Sequence, residues 1–425
     1  MADAGSISQI RRRSRKDAGA LDVSAGAFAG GGAMGIYVHF PFCSVLCPYC
    51  DFAVDTRADI PHDAYADAVI RELERRAPWF RASEGGAGAS LVSIYFGGGT
   101  PGLWRADALA RVIEAGRRLF LEANPSDGDN IEITVEANPG EIDDSRLQQW
   151  RQAGVNRLSL GIQALDDRLL SAIGRNHDAS AAARAMTAAR AAGFDNISID
   201  LMFGLPEQSF DDWQRTIDQA LALRPDHVSA YALTIERGTA FGARSRAGTL
   251  VVPDGDASAE MQIRVRDALA GDGFQQYGVS GHARPGRRSV HNSLYWTGAP
   301  YLGVGASAAS CRPLVDGGAW RFTNARATAT YLRAVADDEA PTSIERRNAV
   351  DWENEMIWLG LRTTDGLNRA QHVARFGRDP LAHAARQSAA LDCQKRGWLV
   401  IDPVVVRPTP EGLLFADEIA ARLWV

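Results

Sequence analysis

From about residue 35, short runs rich in β-branched and aromatic residues alternate with segments whose apolar residues lie three and four positions apart. The short runs predict buried strands, and they occur at 36–40, 91–96, 131–136, 157–162, 197–203 and 227–233. The intervening segments predict helices, most clearly at 64–80, 106–121, 145–153, 179–192 and 210–223. Strands that alternate with helices form parallel sheets, so the pattern predicts an α/β fold of six β/α units, either open or curled into a barrel.

The alternation ends near Glu236, and the segments that follow are less regular. They predict a helix at 257–271, a strand at 274–281 and a strand with a glycine-rich turn at 301–310. From about Asn348, three helical patterns, a hairpin and a last helix are predicted at 351–361, 369–376, 380–395, 398–407 and 410–423. The predicted divisions are a tail at 1–34, a core at 35–240, an accessory α+β region at 241–347 and a C-terminal winged-helix-like domain at 348–425.

Residues 1–34 are rich in Ala, Gly and Ser around the basic run 11–16, which predicts a disordered tail. Asp17 and Asp22 interrupt the apolar stretch that an export signal would need. The chain of 425 residues is 46% hydrophobic and 23% charged, without a run long enough to span a bilayer, as expected of a soluble cytoplasmic protein. The net charge of −6 argues against a nucleic-acid partner.

Three of the five cysteines, Cys43, Cys47 and Cys50, lie within eight residues, directly after the first predicted strand. Closely packed thiolates repel one another unless a soft cation neutralises them, so this loop predicts a metal or iron–sulfur site. Zinc would need a fourth ligand, for which His39 is the nearest candidate. A cluster held by three thiolates would keep one iron open to an exchangeable ligand. Cysteines without any metal are the remaining alternative.

The spacing C-x3-C-x2-C, with Tyr49 before the last cysteine, resembles the signature of the radical S-adenosylmethionine (SAM) superfamily. The flanks Tyr37-Val-His-Phe-Pro-Phe-Cys43 and Cys47-Pro-Tyr-Cys-Asp-Phe52 resemble the coproporphyrinogen dehydrogenase-like family within it. That family contains an oxygen-independent coproporphyrinogen III dehydrogenase and a branch of heme chaperones. The resemblance implies a partial (β/α)6 barrel, with a [4Fe–4S] cluster on the three cysteines and SAM at the carboxyl ends of the strands.

Residues suited to ligand binding follow the predicted strands. The run 97–101 offers backbone amides without obstructing side chains, although a flexible turn would have the same composition. Glu136 ends a strand and is otherwise a solvated charge, whereas Asp200 would be costly inside an apolar segment without a partner. The resemblance implies SAM contacts at Tyr37, Tyr49, Gly98, Gly99, Thr100, Glu136, Gln163, Arg175, Asp200, Thr234 and Ala309, with Gly303 and Gly305 as further candidates.

The run His291-Asn-Ser-Leu-Tyr-Trp296 resembles a motif of the heme-chaperone branch. Imidazole is a common axial ligand of heme iron, which makes His291 a candidate heme ligand. A hydrogen-bonded histidine packed among aromatic residues is the alternative. The solitary Cys311 and Cys393 are interpreted as packing residues.

One departure decides between the two relatives. The dehydrogenase carries a fourth cysteine two positions after the last cluster ligand, where this chain has Phe52. The resemblance therefore implies a heme chaperone that passes heme to an unknown acceptor protein, which could be membrane-associated, and it allows a homodimer. No catalytic residue is assigned, and whether the chain is an enzyme stays open. The alternatives are decarboxylation of coproporphyrinogen III in porphyrin biosynthesis and a zinc-stabilised binding module.

Overall fold

The structure is a computed structural model that describes residues 32–80, 89–121, 131–339 and 341–425. Most of the predicted tail, residues 1–31, lies outside the described residues. The first part of the chain alternates strands and helices, as the pattern predicted. In chain order these are β1 Ala33–Phe40, α1 His62–Arg76, β2 Ser90–Gly98, α2 Ala106–Leu121, β3 Glu132–Ala137, α3 Asp144–Gln152, β4 Arg157–Gln163, α4 Asp167–Ala172, α5 Ala179–Ala191, β5 Ile197–Phe203, α6 Phe210–Ala222 and β6 His227–Ala232.

Strands β1 to β6 lie side by side in chain order and pair in parallel, which confirms the predicted sheet. Ile36, Ile94 and Ile133 are neighbours on three of these strands, and all three side chains are buried. Helices joining parallel strands cover the sheet, so the strands carry apolar residues in register. Because the strands run in one direction, their carboxyl ends form a single edge at which the connecting loops meet.

The accessory region extends this sheet at both edges. Its elements are α7 Ala240–Arg246, α8 Gly255–Gly271, β7 Gln275–Gln276, β8 Gly281–Ala283, α9 Val290–Thr297, β9 Tyr301–Val304, β10 Ala309–Pro313, β11 Ala319–Thr323, α10 Thr328–Ala336 and β12 Ser343–Arg347. Strand β9 pairs in parallel with β1, and β8 pairs antiparallel with β6. Within the described ranges, the result is a sheet of twelve strands in the order β12-β11-β10-β9-β1-β2-β3-β4-β5-β6-β8-β7. This order leaves the sheet open, as a partial barrel is.

The prediction of a single strand at 274–281 was wrong, because this segment forms two short strands. The chain turns back between β7 and β8, and the backbone N–H of Tyr277 donates to the carbonyl of Gly281 across the turn. Apolar periodicity in so short a segment does not distinguish one strand from a tight hairpin, because both bury alternate residues.

A buried polar network ties α1 to the accessory region. Glu72 is fully buried and forms an ion pair with Arg76 at 2.5 Å. Its carboxylate also accepts hydrogen bonds from the Tyr331 hydroxyl (2.7 Å), the Asn324 amide (2.7 Å) and the Gly305 backbone N–H (2.9 Å). A buried charge is tolerated when it is paired and hydrogen-bonded in this way. The network therefore fixes the loop that follows β9 against α1.

The C-terminal part has its own apolar core, which includes Leu361, Cys393 and Ile419. Its elements are α11 Ala349–Gly360, β13 Leu367–Asn368, α12 Arg369–Phe376, α13 Ala384–Lys395, β14 Leu399–Ile401, β15 Val405–Pro408 and α14 Ala416–Leu423. The three strands form a separate antiparallel sheet in the order β13-β15-β14. Throughout the ranges given above, no helix is both long and apolar enough to cross a membrane.

Candidate cofactor site

A cavity of about 590 Å³ lies at the carboxyl ends of β2 to β6. The loop after β1 carries Cys43, Cys47 and Cys50 into its wall. Pro41 and Asp55 hold the base of this loop, since the Asp55 backbone N–H donates to the Pro41 carbonyl at 2.7 Å. The cysteines are thus presented to the cavity from one side and the strand ends from the other.

The three thiols are half-buried and have ordered polar neighbours. The Thr100 hydroxyl donates to the Cys43 sulfur at 3.4 Å, and the Cys47 thiol donates to the Gly174 carbonyl at 3.9 Å. Burial raises the pKa of Cys43 to about 11, and burial also raises the pKa of Cys50. Soft, partly desolvated sulfur donors of this kind suit an iron–sulfur cluster.

A zinc site has less support from the geometry. The Nε2 of His39 donates to the Ala53 carbonyl at 3.0 Å, and its Nδ1 lies 3.1 Å from the Tyr37 hydroxyl. Both ring nitrogens are therefore engaged, and neither is free to act as a fourth ligand. Among the residues that the structure describes, no three His, Cys, Asp or Glu side chains are grouped closely enough to hold one metal ion.

The glycine run after β2 brings backbone close to the cavity. Gly98 has a φ of +111°, and a Cβ at this position would lie 2.5 Å from the His39 ring. The Gly98 N–H donates to Glu136 at 3.1 Å. A Cβ on Gly99 would lie 2.7 Å from the carbonyl carbon of Pro41. At Gly98 both the backbone conformation and the space require glycine, and at Gly99 the space does. This close packing argues against a flexible turn.

Substitution of Gly98 by alanine is expected to destabilise the protein more than the same change at Gly193. Both glycines have positive φ, at +111° and +87°, but a Cβ on Gly193 meets no atom of the described residues within 4 Å. Backbone strain of about 1–2 kcal/mol is common to both variants, and only Gly98→Ala must also displace the His39 ring. Thermal unfolding of the two variants measures the difference. Equal midpoints would show that the His39 ring moves without cost.

Two carboxylates face the same interior. Glu136 accepts a hydrogen bond of 2.7 Å from the Tyr95 hydroxyl, and Asp200 accepts one of 3.3 Å from Ser159. Burial raises the pKa of Glu136 to about 7, with the nearby charge of Asp200 as a further cause. Burial likewise raises the pKa of Asp200. Such carboxylates are stabilised in the ionised form by a cationic or hydrogen-bonding ligand, which is what the ammonium and ribose groups of SAM would provide.

Polar side chains at the end of β4 complete the interior. Gln163 adopts a left-handed backbone conformation with a φ of 66°, which costs a non-glycine residue about 1–3 kcal/mol. Arg175 donates to the Gly161 carbonyl at 2.6 Å and to the Asn138 side chain. The Nε of Arg175 is buried, and none of the described residues gives it a hydrogen-bond partner. A buried donor without a partner is costly, so this atom is suited to an acceptor on a bound ligand.

The structure brings most of the candidate residues together, but not all of them. The wall of the cavity includes Cys43, Cys47, Tyr49, Cys50, Gly98, Gly99, Thr100, Glu136, Gln163, Arg175, Asp200 and Thr234. Tyr37 and Ala309 instead line a second cavity of about 380 Å³. Asp51 and Phe52 line both cavities, so the two spaces adjoin. Gly303 and Gly305 are buried behind the second cavity, where Gly305 has a φ of +99°.

His291 lies in neither group of lining residues. Its side chain is 1% exposed, and both ring nitrogens have partners at 2.8 Å, the hydroxyls of Ser93 and Tyr295. The ring also stacks on Tyr95 with the centroids 5.0 Å apart. Heme ligation would have to break one of these hydrogen bonds and open the packing. The geometry therefore favours the alternative of a core histidine among aromatic residues, and the ligation of heme by His291 stays a prediction.

The stability of the fold is expected to depend on pH through His291. Burial and the charge of Arg157 lower its pKa to about 3, so the folded protein keeps the ring neutral while the unfolded chain binds a proton below about pH 6.5. The stability that the neutral, buried His291 ring provides is fully present above pH 6.5. It is lost as the pH falls toward 3, at about 1.4 kcal/mol per pH unit.

Urea titrations between pH 4.5 and 6.5 test this expectation. The slope of the unfolding free energy against pH should be smaller in His291→Gln than in the wild type, by about 1.4 kcal/mol per pH unit, which is the effect of one bound proton. His383→Gln is the control, because His383 is exposed. An unchanged slope in His291→Gln would contradict the buried neutral histidine.

The residues that line the cavity but were not predicted as site residues include Asn138, Ser159 and Tyr231. Asn138 donates to the Thr100 hydroxyl at 3.3 Å and so links the glycine run to Arg175. Ser159 lies opposite Glu136 in the pairing of β3 with β4. Alternation along β4 could have placed Ser159 on this face, whereas no local signal distinguishes Asn138 or Tyr231 from surface residues.

Comparison with known proteins identifies two domain families in the chain. The model of the radical SAM superfamily matches residues 37–220, and that of the HemN C-terminal domain matches residues 353–415. Among solved structures, coproporphyrinogen III oxidase (HemN) from Escherichia coli, a radical SAM enzyme, superposes with a TM-score of 0.75. The superposition covers 95% of this chain and 92% of HemN at 23% identity, which shows the shared fold.

Two relatives match at higher sequence identity over most of their length. The heme chaperone HemW from Synechocystis is 36% identical over 414 residues, which are 91% of this chain and 95% of that protein. Radical S-adenosyl methionine domain-containing protein 1 from mouse mitochondria is 34% identical over 400 residues, or 91% of this chain and 86% of that protein.

Proposed function

Because the chain belongs to the HemW family within the radical SAM superfamily, we propose that it is a cytoplasmic heme chaperone that binds heme and passes it to an acceptor protein. The observation that carries the proposal is the 36% identity to a heme chaperone across 91% of this chain. The superfamily implies a [4Fe–4S] cluster and SAM, and the cavity offers a donor set that suits both. The acceptor could be membrane-associated, and a homodimer is compatible with the proposal.

In this proposal Cys43, Cys47 and Cys50 hold the cluster. When bound, a cluster of this kind supplies single electrons to SAM. Glu136 and Asp200 accept hydrogen bonds from donors of the bound ligand. The Nε of Arg175, which lacks a partner within the described part of the chain, donates to an acceptor of the ligand.

The remaining candidates line the same cavity or the cavity that adjoins it. Gly98 and Gly99 let the glycine run pack against His39 and against the start of the cysteine loop, because a Cβ at either position would collide with them. Thr100 and Asn138 connect this backbone to the thiols and to Arg175. Tyr49, Gln163 and Thr234 line the same wall, and Tyr37 and Ala309 are assigned to the adjoining cavity.

Decarboxylation of coproporphyrinogen III is the second candidate function, since HemN shares the fold. The residue two positions after Cys50 argues against this decarboxylation. Phe52 occupies that position with 67% of its surface exposed, and a phenyl ring offers neither a proton nor a sulfur ligand.

A heme titration of anaerobically reconstituted protein separates the two functions. Heme is expected to give a saturable Soret band, and coproporphyrinogen III supplied with SAM and a reductant is expected to release no stoichiometric carbon dioxide. Decarboxylation without a heme-induced Soret band would contradict the proposal. His291→Ala in the same titration is expected to keep the Soret band, since His291 is buried with both nitrogens bonded. Loss of the Soret band in this variant would support His291 as the heme ligand.

A further inference from the structure

The mouth of the 590 Å³ cavity carries exposed hydrophobic side chains. Val45, Leu46, Phe52 and Tyr231 all line this cavity, with 43%, 58%, 67% and 43% of their surfaces exposed. Large apolar residues scattered singly on a surface need no explanation, but a group around one opening does. We call these four residues the apolar rim.

Polar residues lie in the interior of the cavity, and the apolar rim lies at its mouth. The interior presents carboxylates, the guanidinium of Arg175 and the backbone amides of the glycine run, which suit a polar ligand. The apolar rim contributes no charged group, and two of its members, Phe52 and Tyr231, have flat aromatic faces. A polar cofactor inside the cavity would leave the rim uncovered. Burial of the rim by a second, apolar ligand would therefore be favourable.

The charges beside the rim indicate what kind of apolar ligand fits. Arg326 donates to the carbonyls of Asp51 and Phe52 at 2.7 and 3.2 Å, and 63% of its side chain is exposed. Its guanidinium lies 3.7 Å from the Asp51 carboxylate, and Glu236 is a second acid on the cavity wall. Both hydrogen bonds come from one guanidinium nitrogen, so the exposed side chain of Arg326 has further N–H groups that can donate to a carboxylate.

We propose that the apolar rim binds one face of the heme macrocycle, with Arg326 facing a heme propionate. This inference rests on the proposed function and names the binding surface for its ligand. A flat apolar ring that carries carboxylates complements both parts of the site. Aromatic side chains contact such a ring face to face, and a guanidinium pairs with its carboxylates. The contact is to the ring and not to the iron.

Binding of two ligands to reconstituted protein tests the proposal. Heme and metal-free protoporphyrin IX are titrated into the wild type and into the double variant Leu46→Ala, Phe52→Ala. The dissociation constants for both ligands are expected to rise by about tenfold, which corresponds to roughly 1.4 kcal/mol. Because the contact is to the ring, the increase should be similar with and without iron. Phe52→Tyr keeps a flat face and is expected to bind both porphyrins more tightly than the double variant does.

The control is Val251→Ala, Leu391→Ala, which removes two exposed apolar side chains that line neither cavity. Iron and sulfide content reports whether the loop variants keep their cluster. Tyr231 lies on β6, outside the cysteine loop. If the loop variants lose their cluster, Tyr231→Ala tests the rim in their place. It is expected to weaken the binding of both porphyrins severalfold.

Three outcomes would overturn the proposal. If the wild type binds heme and the rim variants match the control, the rim is not the site, while the proposed function stands. If the rim variants convert a dimer to a monomer with unchanged heme affinity, the rim is a contact between two copies of the chain. If the wild type binds neither porphyrin, the proposed function fails as well.

Discussion

Simultaneous replacement of Cys43, Cys47 and Cys50 by serine is expected to abolish the incorporation of iron and sulfide during anaerobic reconstitution. The wild type should take up about four irons per chain and turn brown. The three thiols are the soft ligands that line the cavity, and a hydroxyl is a poor ligand for iron in such a cluster. Iron and sulfide analysis, together with the visible absorption spectrum, measures the effect.

The matched controls are the other two cysteines. Cys311 and Cys393 are buried in other parts of the fold, and neither lines the cavity. Cys311→Ala and Cys393→Ala should retain the full iron content. Iron and sulfide that persist in the triple variant would refute the assignment of the cluster ligands. A colourless wild type that contains zinc would instead support the zinc-stabilised binding module.

Truncation of Glu72 to alanine is expected to destabilise the protein by about 3–5 kcal/mol, because it leaves the buried charge of Arg76 without its partner. Arg76 is 2% exposed, and three further donors, from Tyr331, Asn324 and Gly305, would lose their acceptor. The midpoint of thermal unfolding should fall by several degrees. Glu72→Gln keeps an acceptor oxygen and should lie between the wild type and the alanine variant.

Glu74→Ala is the control on the same helix. Glu74 is 47% exposed and forms an ion pair with Arg118 at 2.8 Å. Exposed ion pairs contribute about 0–1 kcal/mol, so this variant should unfold close to the wild type. If Glu72→Ala and Glu74→Ala have the same midpoint, the buried network does not stabilise the junction between α1 and the loop after β9.

The cysteine loop shows how much of the site could be predicted from local sequence. The thiols lie within eight residues, and a strand that ends at Phe40 delivers all of them to one place. The strand ends at Gly98, Glu136 and Asp200 could be predicted for a similar reason, because parallel strands in chain order meet at one edge. For these residues, the order along the chain already fixes the neighbours in space.

Other parts of the site depend on contacts between distant segments. Arg326 meets Phe52 across 274 positions of the chain. Ala309, on β10, joins Tyr37 because β10 pairs with β9 and β9 pairs with β1. The environment of His291 is of the same kind, since Ser93 reaches it from a strand almost 200 residues earlier. The sequence run around His291 resembles a motif but carries no record of these contacts.

By itself, the sequence determined the α/β class, the six parallel strands and the loop that presents three thiols, because periodicity and short spacing are local properties of a chain. Only the tertiary structure decided that the sheet extends to twelve strands, that the candidate residues divide between two adjoining cavities and that His291 is buried. The physical reason is that hydrogen-bond partners, burial and the shape of a cavity arise from packing between remote segments, which no local pattern encodes.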